Sequence, residues 1–205
     1  MKRGTVIILD PAHGANVKGK CSPDGRHHEF MWSRDRVKAI KRMLTDLDFE
    51  VYVTTESDDE PGLVSRKNFA TQICKGRRKL LLSLHNNAAG DGSKWMDARG
   101  VEVYTTPGIT KADICADYIF TWLGKDFPGV RLRFGRNKPL YRDKEAKFVV
   151  LNGDDYMGVL VEWLFQDNKE DVELLMSDNV NRKFESSIVR AIVDADNYFT
   201  RQYGA

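Results

Sequence analysis

This 205-residue sequence has few cysteines and no long apolar segment. Its three cysteines are an odd number and form no Cys-x-x-Cys pair, which argues against a disulfide framework and against a cysteine-rich zinc site. No apolar run approaches the roughly 18 residues of a transmembrane helix, so we expect no membrane insertion. The net charge is only +2, which gives no electrostatic reason to expect nucleic acid as a partner.

A secretion signal is also not expected at the N-terminus. The apolar run at residues 5–9 follows two basic residues, but it ends at Asp10 and Pro11. This run is too short for the apolar region of a signal peptide, and no small-residue cleavage site follows it. We therefore expect the chain to be made in the cytoplasm, without an export signal of its own.

The composition, with 41% hydrophobic and 30% charged residues, is typical of a globular domain. At roughly 100–200 residues per domain, the length predicts one domain over residues 1–205. Short apolar runs alternate with segments of helical periodicity, which predicts an α/β fold: a three-layer sandwich with a mostly parallel central sheet flanked by helices. The predicted strands lie at 5–9, 49–54, 79–84, 100–104 and 158–162. The predicted helices begin near residue 29, at 63, at 110 and near 180.

Ionisable residues follow or end three of the predicted strands. His13 comes shortly after the first strand, His85 directly after the third, and Glu162 ends the last. Ligands of open α/β sheets bind beyond the carboxyl ends of the strands, so these side chains are expected to meet at one edge. A carboxylate that ends an apolar strand is costly to bury unless it is paired or beside a metal. Asn86 and Asn87, after His85, are interpreted as turn residues.

Glu29, at the start of the first predicted helix, is a fourth candidate. With His13 and His85 it would complete two histidines and one carboxylate, a ligand set that catalytic zinc accepts. Helix N-termini also favour carboxylates, so a capping role for Glu29 stays open. The neighbouring His27 and His28 are alternative ligands in the same loop. From the residues alone, ordinary polar histidines and surface glutamates are also possible.

Five short stretches and one single residue then occur in order between about residues 5 and 200. They are ILDPAHG at 8–14, Glu29, RKNFA at 66–70, LSLHNNA at 82–88, GVEVY at 100–104 and VLVEWLF at 159–165. Each is weak alone, but the ordered set is specific. It resembles the zinc-dependent N-acetylmuramoyl-L-alanine amidases of the Amidase_3 type.

The resemblance implies a phosphorylase/hydrolase-like fold and a single catalytic domain without a separate wall-binding domain. It implies one zinc ion per chain, held by His13, Glu29 and His85. Glu162 would be the catalytic residue, which takes a proton from water and delivers it to the leaving nitrogen. The implied substrate is peptidoglycan, cleaved between N-acetylmuramic acid and L-alanine by a monomeric enzyme.

Two departures from the family pattern stand out. Ala12 replaces a usual glycine, and TTE at 54–56 replaces a common Thr-Arg pair, so no substrate-binding residue is assigned. Because no export signal is expected, the chain resembles a phage-type lytic enzyme, or endolysin. Such an enzyme is made in the cytoplasm and acts on the cell wall.

Two other functions stay open. A zinc peptidase acting on the peptidoglycan stem peptide is one, although such enzymes usually have a His-x-x-Glu pair and here His13 and Glu29 are 16 positions apart. A non-catalytic wall-binding module is the other, and the presence of all four proposed active residues counts against it.

Overall fold

A mostly parallel sheet of six strands lies at the centre of the computed structural model, which describes residues 2–135 and 141–204. The strands are β1 (Val6–Pro11), β2 (Val51–Val53), β3 (Lys79–Asn87), β4 (Val101–Thr105), β5 (Lys144–Glu145) and β6 (Met157–Phe165). Their order is β2-β1-β3-β6-β4-β5, and of these strands, as far as the structure describes them, only β4 and β6 pair in antiparallel fashion. The predicted mostly parallel sheet is confirmed.

Helices cover both faces of this sheet. They are α1 (Glu29–Asp46), α2 (Leu63–Gln72), α3 (Lys111–Asp126), α4 (Lys169–Leu175) and α5 (Asp178–Tyr203). On one face, α5 packs against both α1 and α3. On the other face, α2 packs together with Val150 and Leu151. These layers confirm the predicted three-layer sandwich. None of the described helices combines the length and the apolar character needed to cross a membrane.

The alternation of side chains along each strand explains the continuous apolar runs. In β3, Leu80 and Leu82 pack toward α1, α3 and α5, whereas Leu81 between them packs toward α2. A strand covered on both faces needs apolar residues at successive positions, and every residue of β1 is buried accordingly. Each fully buried leucine of this kind stabilises the fold by roughly 1.5–3 kcal/mol.

The two central strands extend beyond their predicted ends. His85 pairs with Glu162, and after a β-bulge Asn87 pairs with Phe165. The prediction that His85 follows its strand and that Glu162 ends its strand is therefore wrong, because both lie within strands. Asn86 and Asn87 are likewise strand residues rather than turn residues. The pairing continues because the bulge absorbs the mismatch in register between β3 and β6.

Candidate metal centre

Three side chains from distant parts of the sequence meet at the carboxyl ends of β1 and β3. His13 lies just after β1, His85 lies in β3, and Glu29 is the first residue of α1. One ligand atom from each lies within 4.8 Å of the other two. Glu29 Oε1 is 3.0 Å from His85 Nδ1 and 3.5 Å from His13 Nε2. The structure thus brings these three predicted site residues together.

The donors in this cluster suit a divalent metal. Zinc binds imidazole nitrogen and carboxylate oxygen at about 2.0–2.2 Å, so two ligand atoms of one ion lie no more than about 4.4 Å apart. Both contacts of Glu29 Oε1 fall within that limit. Among the residues that the structure describes, this is the one group of three or more His, Cys, Asp or Glu side chains whose ligand atoms all lie within 4.8 Å of one another.

Glu29 is buried and is held as a carboxylate. Its Oε1 accepts the backbone N–H of Asn86 at 3.1 Å, and its Oε2 accepts an N–H of the Gln166 amide at 3.1 Å. Burial alone would raise the pKa of Glu29, but the hydrogen bond and charge of His85 and the charge of His13 outweigh it, so the pKa is lowered. Glu29 therefore remains ionised at neutral pH.

The backbone at His13 has an unusual conformation that two arginines support. His13 has a left-handed φ of 46°. Its carbonyl oxygen accepts hydrogen bonds from Arg34 Nη2 at 3.0 Å and Arg66 Nη2 at 3.1 Å. Arg66 also pairs with the buried Asp10 carboxylate of β1 at 2.9 Å. The loop that carries His13 is therefore anchored to the sheet and to α1 and α2.

The two histidines of the cluster differ in proton affinity. Burial lowers the pKa of His13 to about 4, so its imidazole is neutral and can bind a metal. Burial would also lower the pKa of His85, but the hydrogen bond and charge of Glu29 outweigh it and raise that pKa. His85 and Glu29 thus lie within hydrogen-bonding distance, and each favours the charged form of the other.

Glu162 lies directly beside this cluster. It is opposite His85 across β3 and β6, and opposite Glu102 across β4 and β6. Its Oε2 is buried and has no hydrogen-bond partner among the described residues. Burial, with repulsion from Glu29 and Glu102, raises the pKa of Glu162 to about 7, although His85 opposes the shift. Glu162 is thus poised to gain or lose a proton near neutral pH.

Glu102, the other carboxylate of this face, has a very different environment. It accepts hydrogen bonds from Tyr104 Oη, Arg133 Nε and Lys144 Nζ, each at 2.6 Å, and from Asn87 Nδ2 at 3.0 Å. Burial would raise its pKa, but these partners outweigh burial and lower it. Glu102 is therefore a fixed, neutralised carboxylate, and Glu162 is the candidate for proton transfer.

The alternative histidine ligands lie outside the cluster. His27 Nε2 is 2.8 Å from Asn86 Oδ1. The Asn86 amide nitrogen donates to the Trp163 carbonyl at 2.7 Å, which fixes Asn86 Oδ1 as an acceptor and makes His27 Nε2 the donor. His28 is exposed just before α1. Of the three candidates, it is Glu29 that lies close to His13 and His85.

Sequence reasoning missed two residues that contact Glu29. Asn86, interpreted as a turn residue, is buried and donates its N–H to Glu29. Gln166 was not considered, although a polar residue after the apolar run VLVEWLF is a signal that could have identified it. Both residues belong to the site in the structure, and the sequence had assigned a role to neither.

Comparison with known proteins relates the chain to one enzyme family. The model of the family Amidase_3, described as N-acetylmuramoyl-L-alanine amidase, matches residues 7–194. The chain is 26% identical over 230 residues to N-acetylmuramoyl-L-alanine amidase AmiC of Neisseria meningitidis serogroup B, which covers 93% of this chain and 52% of AmiC. It therefore spans about half the length of that curated relative.

Solved structures share the fold of this chain. The N-acetylmuramoyl-L-alanine amidase from Clostridium difficile 630 has a TM-score of 0.80 at 20% identity, with 99% of this chain and 100% of that chain covered. The amidase Ami1 from Mycobacterium smegmatis has a TM-score of 0.78 at 19% identity, with 96% and 98% covered. At such identities the likeness shows that the fold is shared.

Proposed function

The chain belongs to the Amidase_3 family, and we propose that it hydrolyses the amide bond between N-acetylmuramic acid and L-alanine in peptidoglycan. The observation that carries this proposal is the convergence of His13, Glu29 and His85 inside the range that the family model matches. Amide hydrolysis needs an activated water, a polarised carbonyl and a proton for the leaving nitrogen. The cluster and Glu162 offer groups for these tasks.

We propose that His13, Glu29 and His85 bind one zinc ion per chain. Two neutral imidazoles and one carboxylate leave a further coordination position for water or substrate. When bound, zinc supplies Lewis-acid polarisation of the amide carbonyl and of water. Asn86 and Gln166 hold the Glu29 carboxylate from outside the cluster.

Glu162 is proposed as the general base and general acid. As a carboxylate, it takes a proton from the attacking water, and it then delivers this proton to the departing L-alanine nitrogen. Its buried Oε2, which has no hydrogen-bond partner among the described residues, supports this role, because a raised pKa lets one group both accept and donate a proton near neutral pH. Glu102 keeps its proton-free form through its four hydrogen bonds and does not take part.

Product analysis tests the proposal. Chelator-treated protein is incubated with purified peptidoglycan before and after addition of zinc, and the products are identified by mass spectrometry. We expect intact stem peptides with a new L-alanine amino terminus, and we expect them only when zinc is present. Replacement of zinc by magnesium provides the control, because magnesium prefers oxygen ligands in octahedral geometry.

The same experiment separates the other functions. Release of D-amino acids with the muramoyl amide intact would indicate a zinc peptidase that acts on the stem peptide. Sedimentation of the protein with peptidoglycan, without new amino termini at full zinc occupancy, would indicate a wall-binding module. Either outcome contradicts the proposed amidase activity.

A further inference from the structure

We infer that Gln166 is a positioning residue that fixes the orientation of Glu29 toward the metal. The inference rests on the proposed function, because it takes Glu29 as a zinc ligand. The Gln166 amide holds one carboxylate oxygen of Glu29, and only the other oxygen is left to face His13 and His85.

The two carboxylate oxygens of Glu29 have different neighbours. Oε1 is 3.0 Å from His85 Nδ1 and 3.5 Å from His13 Nε2, so it is the oxygen that faces the cluster. Oε2 accepts a hydrogen bond from Gln166 Nε2 at 3.1 Å. Glu29 and Gln166 are each only 1% exposed, so solvent has little access to this contact. The structure thus distinguishes a ligand oxygen from a held oxygen.

The chemistry of the amide fixes its own orientation. A carboxylate oxygen only accepts hydrogen bonds, so the amide nitrogen of Gln166 must face Glu29 and the amide oxygen must point away. That amide oxygen, Oε1, is buried and has no partner among the described residues. A buried acceptor without a donor is destabilising, and an apolar residue here would avoid this penalty. A glutamine at position 166 therefore costs folding stability, and what it provides in return is the hydrogen bond to Glu29.

A local distortion of β6 brings Gln166 to this place. Leu164 has a left-handed φ of 62° within the bulge that follows Glu162. Asp171 accepts the N–H of Phe165 at 3.0 Å, and Gln166 donates its own N–H to the Asn87 carbonyl at 2.8 Å. The backbone on both sides of the distortion is therefore held by hydrogen bonds. The strand that carries Glu162 continues through the bulge to Phe165, and Gln166 follows it directly.

A fixed Oε2 determines how Glu29 can bind a metal. Binding through both oxygens would require Oε2 to leave Gln166 and would occupy an additional coordination position. Binding through Oε1 alone leaves that position for water or substrate, as catalytic zinc requires. Hydrogen bonds to the outer side of metal ligands raise metal affinity by orienting those ligands, and their loss typically weakens binding about 10–100-fold.

Metal binding by the Gln166→Leu variant tests the inference. Leucine keeps approximate side-chain size but cannot donate to Glu29. We expect the zinc dissociation constant, measured by competition with a chelating dye, to rise about 10–100-fold. In cobalt-substituted protein we expect weaker visible absorption bands, because an added carboxylate oxygen moves the site away from tetrahedral geometry. Gln166→Met, of similar length, is measured in parallel in case the leucine variant folds poorly.

Asn181→Leu is the matched control. Asn181 is a buried amide that donates to the Leu175 carbonyl at 2.8 Å and accepts from Trp32 Nε1 at 2.9 Å. Its replacement should lower the melting temperature but leave the zinc dissociation constant and the cobalt spectrum unchanged.

The outcomes separate the inference from the proposed function. If wild-type protein binds zinc and cleaves the amide, and a folded Gln166 variant matches it in zinc affinity and cobalt spectrum, only the positioning role is overturned. If wild-type protein binds no zinc, the proposed metal site is wrong and the inference is overturned with it. A loss of affinity in both Gln166 variants and not in the Asn181 variant supports the inference.

Discussion

His85 and Glu162 lie directly opposite each other on adjacent parallel strands, β3 and β6. One belongs to the histidine and carboxylate cluster, and the other has a buried oxygen without a hydrogen-bond partner among the described residues. The sheet therefore sets the spacing between the proposed metal ligand and the proposed base. This spacing depends on backbone hydrogen bonds rather than on flexible loops.

Replacement of His85 by alanine should remove the metal. The remaining ligands would be His13 and Glu29, and a set reduced by one imidazole binds zinc far more weakly. We expect purified His85→Ala to contain almost no zinc by elemental analysis. The double variant His27→Ala/His28→Ala should keep it. Zinc loss in that double variant but not in Glu29→Ala would show that His27 or His28, and not Glu29, is the zinc ligand.

Replacement of Glu162 by glutamine should abolish proton transfer while the metal is retained. Glutamine keeps the size of the side chain but cannot accept the water proton. We expect full zinc content, an unchanged fold and a fall in peptidoglycan turnover of about 10²–10⁴-fold. Zinc stoichiometry and melting temperature are measured on the same sample. A zinc-replete variant with near wild-type turnover would remove Glu162 from the mechanism.

The same substitution should change how the stability of the metal-free protein depends on pH. The pKa of Glu162 rises from 4.5 when unfolded to about 7 when folded. Between these values the folded state holds a proton that the unfolded state has released, so the contribution of Glu162 to stability is present below pH 4.5 and is lost as pH rises through 7. We expect Glu162→Gln to gain up to about 3 kcal/mol over wild type across this window.

Denaturant unfolding of both chelator-treated proteins measures this difference. His13, with a pKa lowered from 6.5 to about 4, makes stability increase with pH over part of the same range. This contribution is present in both proteins and cancels in the difference. A difference in unfolding free energy that stays constant with pH would contradict the raised pKa of Glu162.

Arg66 should be far more important for stability than a surface arginine in a similar ion pair. Arg66 and Asp10 are each 1% exposed and lie 2.9 Å apart. Arg66→Met leaves Asp10 buried without its counter-ion, which should cost about 3–5 kcal/mol. Arg77 pairs with Glu50 at 2.7 Å but is 44% exposed. Arg77→Met should change the unfolding free energy by no more than about 1 kcal/mol. Equal losses of unfolding free energy in Arg66→Met and Arg77→Met would contradict the proposed importance of burial.

The cysteines should be dispensable for activity. Cys115 is buried in α3, and burial raises its thiol pKa to about 12, so it is unreactive at neutral pH. We expect the triple variant Cys21→Ser/Cys74→Ser/Cys115→Ala to retain zinc content and peptidoglycan turnover. A small loss of melting temperature from the cavity at Cys115 is expected. A folded, zinc-loaded triple variant without activity would show that a thiol takes part.

The main layers were predictable because local patterns encode them, whereas the cluster became a definite prediction only through the family resemblance. Continuous apolar runs indicate strands covered on both faces, and His13, Glu29 and His85 fall at the junctions of predicted elements. Gln166 was not predictable in the same way, because its position depends on a bulge at Leu164, a residue whose type disfavours a left-handed φ. β5 was missed because two residues carry no detectable periodicity. Pairing between distant strands, rather than local preference, decides such features.

The two arginine contacts to the His13 carbonyl have a consequence for the thermodynamics of metal binding. A loop that becomes ordered only when a metal arrives loses conformational entropy at that moment and binds more weakly for it. Here Arg34 of α1 and Arg66 of α2 connect the His13 peptide to the folded core through hydrogen bonds that do not involve the ligand atoms of the cluster. The loop therefore loses its conformational entropy when the protein folds and not when the metal binds. The binding free energy of the metal is then reduced very little by ordering of the loop. Hydrogen exchange at the amides near His13 should accordingly be nearly as slow in the metal-free protein as in the loaded protein.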